Sequence, residues 1–239
     1  MQGPTTAQAR AASASSAPGR LRMVALVPLA TGAGLLGYIL FGVALPLGIL
    51  FALLLTGLAA AVVIRRTPQA ARRSVGRRAL AGAMAGVAAT LAYDGVRLAL
   101  VTAFHIKYWP FDIFSRFGVA MIGAGHPLRA VQAVGIAYHY SNGICFGTAF
   151  ALLVRRPNLV KGWLWAMMLE TLMVSVYPGW LGLKAIGDLV SVSLVGHTAY
   201  GFVLGPATAE ISRRLDRASG PVARSGATHE HSLDGRPQP

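Results

Sequence analysis

Apolar residues occur in long runs along this chain, and the short segments between the runs hold most of its arginines. A helix that crosses a bilayer needs about 20 consecutive, mainly apolar residues, and six runs are long enough or nearly so. These runs cover residues 23–42, 43–64, 79–104, 131–154, 162–178 and 187–206. The pattern predicts an all-α integral membrane protein, with a bundle of six transmembrane helices within residues 23–206.

The basic residues are divided unevenly between the two sides of this predicted bundle. The two tails and the connections after the second and fourth runs hold 17 Lys and Arg residues, whereas the other connections hold four. Because basic loops stay in the cytoplasm, we predict that both termini are cytoplasmic. Residues 1–22 and 207–239 are rich in small and polar residues, and we expect a disordered first tail and a largely disordered second one. The expected location is the plasma (inner) membrane of a bacterium, as a multi-pass protein.

Two of the apolar runs end in the same pattern, in which a histidine is followed by two glycines at intervals of four residues and then by an arginine pair. The two copies are His139, Gly143, Gly147, Arg155 and Arg156, and His197, Gly201, Gly205, Arg213 and Arg214. A weaker copy ends at Arg65 and Arg66 and has Ile49 at the histidine position. The spacing predicts three helical hairpins related by an internal repeat.

Glycines four residues apart supply flat helix faces that allow close backbone approach inside lipid. Such faces occur at Gly82 and Gly86, and in both histidine-bearing repeats. They predict packing within the bundle and also leave a homo-oligomer as a possible arrangement.

Composition changes this picture little, but it excludes some classes of protein. The chain is 54% hydrophobic with mean hydropathy +0.55, and its formal net charge is +14. In a soluble protein that charge would suggest nucleic acid, but here the arginines lie beside apolar runs, as expected for membrane orientation. We therefore predict the lipid bilayer as partner and no nucleic acid. The single cysteine, Cys145, excludes an internal disulfide.

The longest predicted outer connection, residues 105–130, is rich in aromatic residues. It contains His105, Tyr108, Trp109, Phe111, Phe114 and Phe117. Such a segment suits the outer headgroup region, where aromatic side chains concentrate. It would equally suit a cap over an outward-facing cavity.

Few polar groups interrupt the apolar runs, and these are the candidate site residues. They are Asp94, Arg97, His139, Asn142, Glu170 and His197. Charged groups inside a bilayer are costly, so they face the bundle and pair with one another. Counting along each run places all six in the outer half of the bundle. We therefore predict an outward-facing polar pocket.

Three classes of function fit such a pocket. The first is binding or transport of a small solute, proton or ion, for which the imidazoles of His139 and His197 are suited. The second is a membrane-embedded enzyme, in which these two histidines bind haem b or a divalent metal, or in which histidine and carboxylate act as acid and base on a lipid. The third is a structural or assembly subunit whose polar groups set helix register.

Overall fold

The computed structural model describes residues 23–106, 109–181 and 186–218, and these residues form helices and connections with no strand. A short 3-10 helix, Met23–Leu26, precedes seven α-helices. The α-helices are α1 (Ala30–Phe41), α2 (Leu45–Arg65), α3 (Gln69–Ala103), α4 (Asp112–Ile122), α5 (Leu128–Leu153), α6 (Leu159–Leu181) and α7 (Ile186–Ala218). The all-helical prediction is confirmed for this part of the chain.

Three of these helices are long and apolar enough to cross a membrane: Leu45–Arg65, Gln69–Ala103 and Leu159–Trp180. The predicted first span is not one continuous helix, because the chain turns after Met23–Leu26 and α1 has only 12 residues. At 1.5 Å per residue α1 is shorter than a typical hydrocarbon core. Pro28, which has no N–H to donate, lies in this break, and its carbonyl accepts a hydrogen bond from Thr31 Oγ1. The count of six spans stays a prediction.

Two helices are longer than the apolar runs that predict them. α3 begins at Gln69, ten residues before the predicted run, and α7 continues to Ala218, so residues 207–218 are helical rather than part of a disordered tail. The arginines at these ends are compatible with helix, since Arg has high helix propensity. The other predicted tail residues, 1–22 and 219–239, lie outside the described part of the chain.

Glycines bring α3 into close contact with α5. A Cβ at Gly82 would overlap the Gly147 carbonyl oxygen, and a Cβ at Gly86 would meet the Gly143 carbonyl oxygen. α3 also packs along α7 through a buried cluster that includes Ala85, Ala89, Tyr93, Tyr200 and Leu204. α3 is therefore the helix that brings the two histidine-bearing helices together.

A second glycine contact joins α6 and α7. Gly162 of α6 lies against Gly201 and Gly205 of α7, and a Cβ on any of the three would meet the partner helix. All three glycine faces that the sequence offered are thus occupied inside the chain. A homo-oligomer through these faces would have to displace contacts within one chain.

The aromatic segment packs against α5 and not along the surface of the bundle. Its helix α4 fits closely because Gly118 lies on Val131 and Gly135 lies on Phe114. Phe114 and Phe117 contact His139 and Tyr138 of α5, with ring centroids 5.1 Å apart in both pairs. The sequence suited either a segment in the outer headgroup region or a cap over a cavity, and these contacts favour the cap. Tyr108 lies outside the described residues.

Arg78 connects the beginning of α3 to the end of α5, and this contact yields the first prediction. Its guanidinium donates hydrogen bonds to the carbonyls of Ala151 and Val154, which the α5 terminus leaves without helical partners. Arg78→Met is expected to destabilise the protein by about 1–2 kcal/mol, since hydrogen bonds from a charged group are lost. Arg73→Met, at an exposed position of the same helix, serves as the control in thermal unfolding. Equal melting temperatures for the two variants would contradict the role given to Arg78.

Candidate functional site

The first part of the site is an ion-pair cluster between α3 and α5. His139 Nε2 lies 3.1 Å from Asp94 Oδ2, and Arg97 Nη1 lies 3.3 Å from Asp94 Oδ1. Asp94 and Arg97 share a face of α3 because they are three residues apart. The Asp94 carboxylate therefore accepts hydrogen bonds from both the guanidinium of Arg97 and the imidazole of His139.

Arg97 is held on several sides and is only 5% exposed. Its Nη2 donates to the Pro110 carbonyl at 2.7 Å, just before α4. Its guanidinium carbon lies 4.6 Å from the centre of the Tyr93 ring and 5.3 Å from that of Phe111. Arg97 thus ties the aromatic segment to the ion-pair cluster.

The second part of the site is a histidine–carboxylate pair between α6 and α7. His197 Nδ1 lies 2.7 Å from Glu170 Oε2, and Ser193 Oγ donates to the same oxygen at 2.7 Å. His197 Nδ1 also lies 3.1 Å from the Ser193 carbonyl, which can only accept. The imidazole therefore carries its proton on Nδ1. Glu170 is 4% exposed.

The two pairs occupy equivalent places in the two repeats. Asp94 follows Gly86 by eight residues, and Glu170 follows Gly162 by eight. Each of these glycines packs against the two glycines that follow the histidine of its partner helix. The carboxylate of the first helix consequently reaches the histidine of the second in both hairpins. The histidine-bearing repeat that the sequence predicts involves only the helices α5 and α7. The equivalence of the carboxylate positions adds α3 and α6 to it.

The weaker third copy does not pack in this way. A Cβ at Gly57 would meet nothing within 4 Å, whereas the corresponding Gly147 and Gly205 are in close helix contact. Ile49 instead packs on Gly34 of α1. The hairpin of α1 and α2 therefore differs from the other two, and it has no histidine–carboxylate pair.

Tyr93 joins the two pairs. Its ring centroid lies 5.9 Å from that of His139 and 4.8 Å from that of His197. Gly196 makes room for it, because a Cβ there would meet the Tyr93 ring and the Arg97 side chain. Five of the six predicted residues are thus brought together around one aromatic ring. The sixth, Asn142, lies one turn below His139 on the same face of α5.

A cavity of about 370 Å³ adjoins this cluster. Its polar wall consists of Thr90, Arg97, His139, Asn142, Ser193 and His197, with the Tyr93 and Tyr200 rings. The remaining wall is apolar and comes from α1, α4, α5, α6 and α7, with residues such as Leu36, Ile113, Phe146, Met173 and Val192. A mainly apolar pocket with a few grouped polar atoms is typical of a ligand site.

The cavity opens on the flank of the molecule, between α1 and α6. Ala33, Met168 and Leu172 line it and are also exposed, which places them at its mouth. Met168 and Leu172 lie in the middle of α6, and Ala33 lies in the first turn of the apolar helix α1. The mouth therefore opens through an apolar surface.

Three polar atoms at this cluster have no hydrogen-bond partner. Arg97 Nε, Asn142 Oδ1 and Glu170 Oε1 are buried and unpaired within the described part of the chain. Buried oxygens of this kind are costly to leave unpaired. Asn142 lines the cavity, so its free oxygen is available to a bound molecule.

A haem b or divalent metal between His139 and His197, which the sequence left open, meets a steric obstacle. Histidines that bind metal commonly donate their other ring nitrogen to a carboxylate, as both do here. However, Tyr93 contacts both imidazoles, so a haem bound by both would have to displace its ring. Within the described ranges, no three His, Cys, Asp or Glu side chains are grouped so that they could bind a metal ion. The residues present do not fit either group.

Ser193, His197 and Glu170 contain the residue types of a catalytic triad, but their geometry differs. In a triad the serine and the acid bind opposite nitrogens of the imidazole. Here Ser193 Oγ and Glu170 Oε2 both contact Nδ1, at 3.3 Å and 2.7 Å. Ser193 therefore serves to hold Glu170 and is not placed as a nucleophile.

Sequence reasoning missed Tyr93 and the pairing of each acid with a particular histidine. A tyrosine in an apolar helix is ordinary, so no local signal marks Tyr93. The pairing had a signal in the equal separations of Gly86 from Asp94 and of Gly162 from Glu170. Those equal separations predict the pairing only if it is already known which glycines on different helices are in contact.

The chain matches a known family of proteins. A model described as a family of unknown function, DUF6789, matches residues 76–219, more than half of the chain. The matched region begins within α3 and contains both histidine–carboxylate pairs, but not α1 or α2. No curated protein and no solved structure matches the chain.

Proposed function

The chain belongs to DUF6789, a family of unknown function, and we propose from the geometry of its site that it is a membrane protein that binds a lipid-soluble molecule in the cavity. The apolar part of the ligand lies among α1, α5 and α6. Its polar head lies against His139, Asn142 and His197.

The mouth of the cavity is the observation that carries this proposal. A water-soluble solute or ion enters from an aqueous side, whereas this mouth lies between two apolar helices, at Met168 and Leu172 in the middle of α6 and at Ala33 near the start of α1. A lipid-soluble molecule would reach it directly from the bilayer. The volume of about 370 Å³ falls within the range of small-molecule pockets.

The membrane arrangement belongs to the same proposal. Six apolar segments cross the plasma membrane, with α1 and the preceding residues together forming the first, and both termini are cytoplasmic. The concentration of arginines at the ends of α2, α5 and α7 supports this orientation. The polar cluster then lies in the outer half of the bilayer.

A purely structural role for the cluster explains its paired side chains, but it does not explain the unpaired oxygen of Asn142 or the cavity. Helix register would be set by the contacts of Asp94 with His139 and of Glu170 with His197 alone. The unpaired oxygen of Asn142 and the open cavity beside it cost stability without aiding register. They favour ligand binding over a structural role.

Filling the cavity tests the proposal. Leu36 lines the cavity, and Leu36→Trp is expected to reduce by at least about tenfold the amount of lipid-soluble molecule that copurifies with the protein. The reason is that an indole occupies space that the ligand needs. Extraction of purified protein into organic solvent, followed by mass spectrometry, measures the bound molecules.

The matched control is Leu40→Trp, one turn further along α1, where the side chain is 57% exposed and does not line the cavity. Leu40→Trp should keep the copurifying molecule at the level of the unmodified protein. The proposal is wrong if neither variant changes the extracted lipids, or if no compound is enriched over the bulk lipid.

A further inference from the structure

His139 has one ring nitrogen that makes no hydrogen bond within the described part of the chain. Nε2 donates to Asp94, because a carboxylate can only accept. With Nε2 as the donor, Nδ1 of the neutral imidazole carries a lone pair that can accept a hydrogen bond.

Asn142 adds a second acceptor beside it. Its Oδ1 is buried without a partner, and the residue is 9% exposed. His139 and Asn142 are three residues apart on α5 and both line the cavity. The polar wall on this helix thus offers two acceptors, and neither is matched by a donor of the protein.

We infer that the ligand carries a hydroxyl head group that donates a hydrogen bond to His139 Nδ1 or Asn142 Oδ1. The chemical class is a neutral lipid-soluble alcohol or phenol. This inference rests on the proposed function, since it names the class of molecule that the cavity binds.

The charges around the head-group site argue against an anionic head. Arg97 is the cation at the cavity wall, and its charge is offset by Asp94 at 3.3 Å. Glu170 adds a second carboxylate behind His197. A phosphate would meet two carboxylates and one guanidinium in apolar surroundings, where like charges repel strongly. An ether or ester head would leave the two acceptors unpaired.

Three ligands that differ only in the head group test the inference on the unmodified protein. Farnesol, farnesyl methyl ether and farnesyl phosphate share one hydrocarbon chain and differ in the head group. Their affinities are measured by titration and native mass spectrometry of the protein in detergent. Farnesol is expected to bind at least about tenfold more tightly than the methyl ether, because only the alcohol satisfies the buried acceptors.

A substitution at Asn142 tests whether the ligand hydroxyl binds at this position. Asn142→Leu should weaken farnesol binding by about tenfold and leave the methyl ether unchanged or tighter. Ser141→Ala is the control, since the neighbouring Ser141 is exposed and its hydroxyl donates to the Ala137 carbonyl of its own helix. Both affinities should stay the same in this control.

The outcomes separate the inference from the proposed function. Equal binding of alcohol and ether, or tighter binding of the phosphate, would overturn the hydroxyl head group and leave a lipid-binding cavity. Failure of all three compounds to bind would overturn both. Because the ligand comparison uses the unmodified protein, it does not depend on whether Asn142→Leu folds.

Discussion

Replacement of Arg97 by methionine is expected to destabilise the protein by about 3–5 kcal/mol, the usual cost of breaking a buried ion pair. Arg97 is 5% exposed, and its removal leaves the Asp94 carboxylate with a hydrogen bond from His139 but without its guanidinium partner. The hydrogen bond to the Pro110 carbonyl is lost as well, so the aromatic segment loses an anchor to α3. Unfolding in detergent, followed by circular dichroism, measures the change.

A second substitution separates charge from packing. Asp94→Asn in the Arg97→Met background removes the uncompensated carboxylate, and it should recover more than half of the lost stability. Arg156→Met, at an exposed arginine after α5, is the control and should change stability by less than about 0.5 kcal/mol. If the double variant is no more stable than Arg97→Met, then Arg97 does not stabilise the protein through its salt bridge with Asp94.

Replacement of Gly147 by leucine is expected to have the second largest effect, a loss of about 2–3 kcal/mol. A Cβ at Gly147 would lie 2.5 Å from the Gly82 carbonyl oxygen and 2.7 Å from Gly86 Cα. Both are backbone atoms and can move only if α3 and α5 separate. That separation would also draw Asp94 away from His139, so ligand binding should fall together with stability.

Gly57→Leu is the matched control for this prediction. Gly57 holds the corresponding place in the weaker third copy, but a Cβ there would meet nothing within 4 Å. The substitution should therefore leave the melting temperature nearly unchanged or raise it, since leucine favours helix over glycine. Comparable destabilisation by the two leucines would contradict the distinction drawn between α2 and the two histidine-bearing hairpins.

Most of the helices could be predicted from the sequence, and the candidate residues all lie on helices. Apolar runs predict helices because a backbone in apolar surroundings must satisfy its own hydrogen bonds. Polar residues within such runs are few, so each one stands out; the cavity wall contains Arg97, His139, Asn142 and His197 from that short set. Helix ends were less well predicted, because the arginines that end an apolar run do not end a helix.

The tertiary structure decided which of these residues are paired and what lies beside them. Asp94 and His139 are 45 residues apart, and Glu170 and Ser193 are 23 apart, so no helical periodicity relates the partners. Glycine contacts between helices set those distances, and the cavity results from the packing of six helices. Spacing along one helix determines which residues share a face, whereas the depth at which two helices cross determines which faces meet.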